Sequence, residues 1–336
     1  MASIEPIKTV EVPCPQCGAE QAAPLWSGYE HEYEGVSDEQ FHFVRCERCT
    51  LVRLNPRPDI SELSRIYPPE YYAYNYEPSE AGKPRSLTDR LKARIYTQRI
   101  EELVDRLDER GGPGPVRLLD VGCGDGRLLN WYRASAVGER LQTHGIELSE
   151  SAAELARAAG HEVVVGRFEL DTELEAAGFD LILALHVIEH VDDPSGFARR
   201  AAELLAPGGI FAIATPNCDS LDAHRFRGNW GGNHFPRHWT LYDETTLTTL
   251  ADSVGLEVDQ VAYQPNPIFW VWSFHSWLSR RFPGSRWPGR LFPPVKIFSP
   301  SLRSLALLGT FTILDRLICL FSGRTGSITI DLRRPL

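Results

Sequence analysis

Residues 118–129 read LLDVGCGDGRLL. An apolar run closes on Asp120, the alternate glycines Gly122, Gly124 and Gly126 follow, and the pattern then opens an amphipathic stretch. This reads as a strand, a tight turn and the start of a helix. Glycine lets backbone turn sharply and come close to a ligand, and the first helical turn offers N–H groups that have no partner within the helix. The turn reads GCGDG and lacks the last glycine of the G-x-G-x-x-G pattern, which weighs against a nicotinamide enzyme. Glu147, 23 residues beyond Gly124, closes the next apolar run, where a carboxylate can accept hydrogen bonds from both hydroxyls of a ribose.

Outward from this turn, VRLLDVG, LQTHGIE, HEVVVG, FDLILAL and GIFAIAT are strand-like, and residues 127–135, 149–159 and 195–205 are helix-like. Strands and helices in regular succession predict parallel strands joined by helical crossovers, an open α/β sheet with helices on both faces. A loop-rich insert at 217–242 precedes a helix at 244–254 and a strand at 256–263. The last strand is expected at 326–332, which leaves a second insert at about 264–325. Upstream, Leu87, Leu91, Ile95, Leu103 and Leu107 recur at helical spacing over 86–109, and Gly111-Gly112-Pro113 stops that helix. The Pro- and Tyr-rich stretch 54–84 reads as extended linker. The chain thus divides into residues 1–54, a linker and helical segment at 55–112, and the main domain at 113–336.

The ordered segments LLDVGCGDG, GIELS, FDLILALHVIEHVDDP and LLAPGGIFAIATPN resemble the class I methyltransferases over about residues 116–263. The resemblance implies a Rossmann-like, seven-stranded, mostly parallel sheet and S-adenosylmethionine as methyl donor. Matched residue by residue, it sets the methionine part against Asp120, Gly122 and Gly124, the ribose on Glu147, and the adenine near Leu148, Phe168 and Glu169.

Cys14-Pro-Gln-Cys17 and Cys46-Glu-Arg-Cys49 are two knuckles separated by 28 residues. Each supplies two thiolates to one ion, and together they complete a tetrahedron with no open position. A structural zinc ribbon is expected, since a segment this small cannot bury enough core to fold alone. From CPQCG to YPPEYY the chain also resembles the amino-terminal extension of bacterial methyltransferases of polysaccharide, sugar and secondary-metabolite pathways. That resemblance implies a small-molecule, sugar or glycan-like acceptor. Sugar C-methyltransferases with such a ribbon carry a further large C-terminal domain that this sequence is too short to match, which leaves the acceptor open.

Methyl transfer from a sulfonium is an in-line displacement, so the enzyme must chiefly align the nucleophile and remove its proton. His186, Glu189 and His190 follow the fourth strand, and positions i, i+3 and i+4 share one face of a helical turn. NHFPRHW (233–239) adds His234 and His238. Three readings stand. A histidine, His190 or His238, serves as general base for O-methylation. Alternatively His186, Glu189, His190 and His238 hold a divalent metal that acidifies an acceptor hydroxyl. In the third, Glu189 and His190 only buttress the loop. The metal reading is similar to the Glu-x-x-Glu-His pattern of small-RNA 2′-O-methyltransferases, which add a distant His, and of ubiquinone-pathway O-methyltransferases; His186 here replaces the first Glu.

An RNA methyltransferase and a non-catalytic scaffold are the alternatives, and charge weighs against nucleic acid. The net charge is −10, and residues 1–49 hold three Lys and Arg against nine acids, whereas phosphate binding needs a basic surface. Residues 260–336 hold ten Lys and Arg against two acids, and FWVWSFHSWLSRRFPGSRW (269–287) contains no acid. Trp270, Trp272, Trp277, Arg280, Arg281, Trp287 and Arg290 therefore suit a lid over a glycan-like or carrier-linked acceptor, a peripheral membrane contact, or a self-packed helical cap. The opening MASIEPIKTVEVP has neither a basic n-region nor an apolar h-region, and the paired cysteines suit a reducing compartment, so a cytoplasmic location is expected. Residues 302–321 are the nearest approach to a membrane span, and Arg303, Asp315 and Arg316 interrupt them, which reads as a buried or interfacial helix.

Overall fold

The computed structural model describes residues 4–33, 35–68, 71, 87–170, 174, 176, 178–299 and 301–336. The amino-terminal part carries β1 (Thr9–Val10), β2 (Ala22–Tyr29), β3 (Gln40–Cys46), β4 (Val52–Leu54), β5 (Arg57–Pro58) and a single turn of helix, α1 (Leu63–Ile66). Helix α2 (Leu87–Gly111) leads into β6 (Val116–Val121), α3 (Arg127–Arg133), β7 (Leu141–Glu147), α4 (Glu150–Ala158), β8 (Glu162–Val165) and β9 (Phe179–Leu185). There follow α5 (Pro194–Leu204), β10 (Leu205–Pro216), α6 (Leu221–Phe226), β11 (Thr240–Leu241), α7 (Glu244–Ser253) and β12 (Glu257–Gln264). The chain ends with α8 (Pro267–Arg281), α9 (Trp287–Leu291), α10 (Leu302–Ser322) and β13 (Ser327–Arg333).

Among the described residues the main sheet has seven strands in the order β12-β13-β10-β9-β6-β7-β8. The strands from β10 to β8 run parallel, and β13 inserts antiparallel between β12 and β10. Successive side chains of a strand face opposite sides. Leu119, Val121, Ile182, Ala184, Phe211 and Ile213 accordingly pack with α5 and α7, while their neighbours Leu118, Leu181, Leu183, Ile210 and Ala212 pack with α2, α3 and α4. Each fully buried Leu, Ile or Phe contributes roughly 1.5–3 kcal/mol, so this two-sided apolar register is what fixes the sheet. Helix starts are set locally: Ser149 caps α4, Asp193 caps α5, and Asp243 with Thr246 forms a capping box on α7. β6 lies between β9 and β7, so the chain leaves it in one direction and later returns on the other side. Crevices open at the carboxyl ends of strands where the order reverses in this way. The glycine turn begins at that point.

The predicted Rossmann-like α/β architecture is thus present, and its strands and helices lie within a few residues of the expected positions. Two features differ. β10 begins at Leu205 rather than at the glycine pair, because LAPGG remains extended with a register shift between Leu205 and Ile210. The small sheet has the order β11-β4-β3-β2, with Thr240 opposite Arg53 and Leu241 opposite Val52. Its fourth strand therefore comes from the insert at 217–242. The linker stretch from Tyr72 to Ser86 lies outside the described residues.

Candidate active site

The turn after β6 is built as its glycines require. Gly122, Gly124 and Gly126 have φ of +76°, +56° and +76°, a region open to glycine and costly to branched side chains. The backbone N–H of Gly122 donates to the Ile146 carbonyl at 2.8 Å, holding the turn against β7. Glu147 closes the arrangement: one carboxylate oxygen accepts from Gly124 N at 2.9 Å, the other from Leu148 N at 2.9 Å and Ser149 N at 3.0 Å. Asp120 is buried, and burial first, then the neighbouring Glu147 charge, pushes its carboxyl up to about 7. Two close carboxylates beside a glycine turn can take a ligand that brings positive charge.

Four of the seven residues expected at this pocket, Asp120, Gly122, Gly124 and Glu147, meet there, and Leu148 stands beside them, 69% exposed. The side chains of the other two have partners of their own. Phe168 turns its ring into the core, 4.8 Å from that of Phe197, and Glu169 pairs with Arg167. Glu169 lines a separate polar hollow of about 320 Å³ with Asp192, Arg199 and Arg200. Gly145 was missed by the sequence reading, although a Cβ there would come within 2.5 Å of Cys123 Sγ.

The second cluster forms beyond β9. His186 has φ +58°, and a single 3-10 turn, Ile188–His190, follows it. Glu189 is fully buried and accepts from Thr215 Oγ1 at 3.0 Å, with His186 Nδ1 at 3.3 Å from its other oxygen. His190 Nδ1 lies 3.2 Å from the Arg237 carbonyl and 2.8 Å from the Tyr67 hydroxyl. His238 Nδ1 lies 2.8 Å from the Gly232 carbonyl. A ring nitrogen held against a carbonyl is the protonated one, so both Nε2 atoms keep lone pairs for a ligand. The ligating atoms of Glu189, His190 and His238 all lie within 4.8 Å of one another. His186 stands outside that triad and is exposed, which reduces the expected four-residue set to three. The physical reason is the left-handed residue: it breaks the helical turn in which positions i, i+3 and i+4 would share a face. Burial lowers His190, and it lowers His238 to about 3. Burial alone would raise Glu189, yet the His186 hydrogen bond and the nearby histidines hold it at about 2.

A methyltransferase-domain family matches residues 89–261, which is more than half of the chain. The chain belongs to that methyltransferase family. This S-adenosylmethionine-dependent methyltransferase is 30% identical over 215 residues to a ubiquinone biosynthesis O-methyltransferase of Cereibacter sphaeroides, an alignment covering 59% of this chain and 84% of the relative. It is 31% identical over 212 residues to the protein of that name from Ruegeria pomeroyi, with the same coverage of each chain. The crystal structure of a methyltransferase from Archaeoglobus fulgidus aligns with TM-score 0.44 and 14% identity, covering 72% of this chain and 94% of that one.

In this methyltransferase the amino-terminal segment reaches the histidine cluster. His234 Nδ1 is 2.7 Å from Glu32 Oε1, and its Nε2 is 3.3 Å from the Tyr71 hydroxyl. Arg237 is buried 2.6 Å from Glu30 and lies over the Tyr33 ring. Burial opposes the Arg237 charge, while Glu30 and Glu32 hold it protonated. Glu30 and Glu32, two of the nine acids in residues 1–49, are thus internal: Glu30 is the ion-pair partner of Arg237 and Glu32 the hydrogen-bond partner of His234. From the other side Trp272 on α8 stacks on His234, with centroids 5.4 Å apart and planes 8° from parallel.

Away from this cluster, Cys14, Cys17, Cys46 and Cys49 bring their sulfurs within 4.8 Å of one another. The pairs Cys14–Cys49 and Cys17–Cys46 are 3.5 Å apart, close to the edge of about 3.8 Å that a tetrahedron with Zn–S of about 2.3 Å requires. Four thiolates this close repel one another unless a cation sits among them, so the donor set fits zinc. The knuckles dock on the main domain: Ser195 Oγ donates to the Pro15 carbonyl, and Gln16 Nε2 to the Thr246 carbonyl. The residue after each knuckle is left-handed, Gly18 at φ +71° and Thr50 at φ +64°. Thr50 is exposed, so Thr50→Gly sacrifices no packing. It is expected to stabilise the protein by about 0.5 kcal/mol, the relief of left-handed strain less the extra unfolded-state entropy of glycine. A denaturant midpoint unchanged or lower than wild type contradicts this.

Proposed function

We propose that this methyltransferase carries out O-methylation of a hydroxylated small molecule, with Glu189, His190 and His238 as the activating cluster. The observation that carries the reading is the convergence of one carboxylate and two imidazoles, each imidazole with Nδ1 engaged and Nε2 directed elsewhere. That donor set fits a divalent cation, because metal-bound histidines ordinarily give their other ring nitrogen to a carbonyl or carboxylate. When bound, such an ion lowers the pKa of an acceptor hydroxyl. The chain's own residues then have separable tasks. Asp120, Gly122, Gly124 and Glu147 hold the donor, Thr215 and His186 orient Glu189, and the carbonyls of Gly232 and Arg237 fix the two imidazoles. The names of the relatives favour an acceptor like that of ubiquinone biosynthesis and lend no support to a sugar or glycan-like one. The ribbon, in the same reading, is a structural zinc site that holds Glu30, Glu32 and the insert in register.

A second reading keeps His190 as general base, favoured by its partial exposure beside the Tyr67 hydroxyl. Dialysis against EDTA separates the two. Loss of S-adenosylhomocysteine production from hydroxylated acceptors, restored by Mg²⁺ or Mn²⁺ while elemental analysis still finds one zinc per chain, supports the cation. Undiminished turnover after metal removal leaves the base reading, and no turnover with any hydroxylated acceptor under either condition overturns O-methylation.

A further inference from the structure

Helix α10 packs one side on the protein and leaves the other bare. Its inner row is held by Asp315, which accepts from Trp270 Nε1 at 2.6 Å and Asn266 N at 2.7 Å, and by Phe311, stacked on Trp270 at 5.9 Å. The outer row is Leu302, Leu305, Ile313, Leu317 and Leu320, spaced by three, four or a multiple of such steps, so that they form one stripe along a helix about 30 Å long. Leu302 is 88% exposed, Ile313 63% and Leu320 80%. Phe282 and Trp287, in and beside α9, are exposed as well. An uncovered apolar stripe of this length is rare on a monomer surface and marks a contact.

Charge identifies what covers it. Residues 260–336 contain only two side-chain acids, Asp315 and Asp331, and both are buried. Arg303 and Arg316 are exposed on α10 itself, and Arg281, Arg286, Arg290 and Lys296 are exposed in the segment that precedes it. A second copy of the chain meeting this face through a two-fold axis would set cation against cation. An anionic bilayer neutralises them and takes the apolar row into its headgroup boundary. We propose that α10 and the loop before it form a membrane-docking face that binds anionic bilayers with the helix lying in the plane of the surface. Among the described residues α10 is the one helix long and apolar enough to cross a membrane. Its anchorage decides for the in-plane arrangement: spanning would strip Asp315 of Trp270 and Asn266 and leave a carboxyl in hydrocarbon. This inference is independent of the acceptor and of the cation at Glu189.

The test is co-sedimentation of the full chain with phosphatidylcholine vesicles, with and without phosphatidylglycerol, for wild type and for the double variant Ile313→Glu, Leu320→Glu. Both positions are exposed and neither belongs to the histidine cluster, so the melting temperature and S-adenosylhomocysteine affinity serve as folding controls. Wild type is expected to sediment with phosphatidylglycerol vesicles, less so as salt rises, and the double variant to bind them about tenfold more weakly or less still. Absent binding, equal binding to neutral vesicles, or binding untouched by the double substitution overturns the proposal. So does a wild-type dimer in lipid-free solution that the substitutions make monomeric without any change in vesicle binding.

Discussion

His238→Ala is expected to lower turnover by about 10² to 10⁴-fold, the range over which a positioned acid–base or ligating side chain contributes, while leaving S-adenosylhomocysteine affinity within about threefold of wild type. The separation follows from where His238 sits. It belongs to the insert between β10 and α7 and faces Glu189 and His190, whereas the proposed donor pocket is built on the turn after β6 and the end of β7. Loss of the imidazole leaves the Gly232 carbonyl without its partner, which costs roughly 1–3 kcal/mol of stability and is read separately as a lower melting temperature. His238→Gln keeps a side chain that reaches the carbonyl but supplies no imidazole nitrogen. It should recover part of the stability and none of the turnover. A His238→Ala enzyme with wild-type turnover would remove the insert from the chemistry and overturn the three-residue cation site, leaving His190 as general base or the buttress reading.

The glycine turn and its carboxylates, the proposed donor side of the site, were legible in the sequence because their constraints are local. A strand that carries Asp120 next to its last residue, glycines that must adopt positive φ, and a carboxylate that closes the next strand are all fixed within 30 residues of chain. Glu189 and His190 were legible for the same reason, and His186 was misplaced by one assumption, that 186–190 is continuous helix. The structure starts its turn at Ile188, so the His186 ring reaches back to Glu189 rather than joining the other imidazole nitrogens. The outer layer was illegible. Glu30 and Glu32 look like surface acids in a polar hairpin, and only Arg237 and His234, about 200 residues away, explain why burying them is tolerable. A buried carboxylate costs several kcal/mol unless paired, so the pairing is a statement about tertiary structure that no local pattern contains. Phe168 illustrates a different ambiguity: an aromatic residue after a strand suits either a ligand face or a core, and its ring packs in the core against Phe197 on α5.

Gly122→Val should abolish donor binding, with no calorimetric signal for S-adenosylhomocysteine at concentrations about 100-fold above the wild-type dissociation constant. Two independent effects act together. At φ +76° a β-branched residue is strained in a conformation glycine adopts freely. A Cβ at this position would also meet Val187 Cγ2 at 3.1 Å, and the two further methyl groups of valine would occupy the space through which ligand approaches the backbone. Val187 lies next to the His186 turn, so the clash would push the donor pocket and the acceptor cluster apart. Gly122→Ala separates the effects, since it keeps the backbone strain and the Val187 contact while adding a single methyl to the pocket. Alanine should weaken binding measurably and valine eliminate it, with circular dichroism showing the sheet intact in both. Wild-type affinity in a folded Gly122→Val protein would mean that the donor binds elsewhere, and that Asp120 and Glu147 face each other for a reason unconnected with methyl transfer.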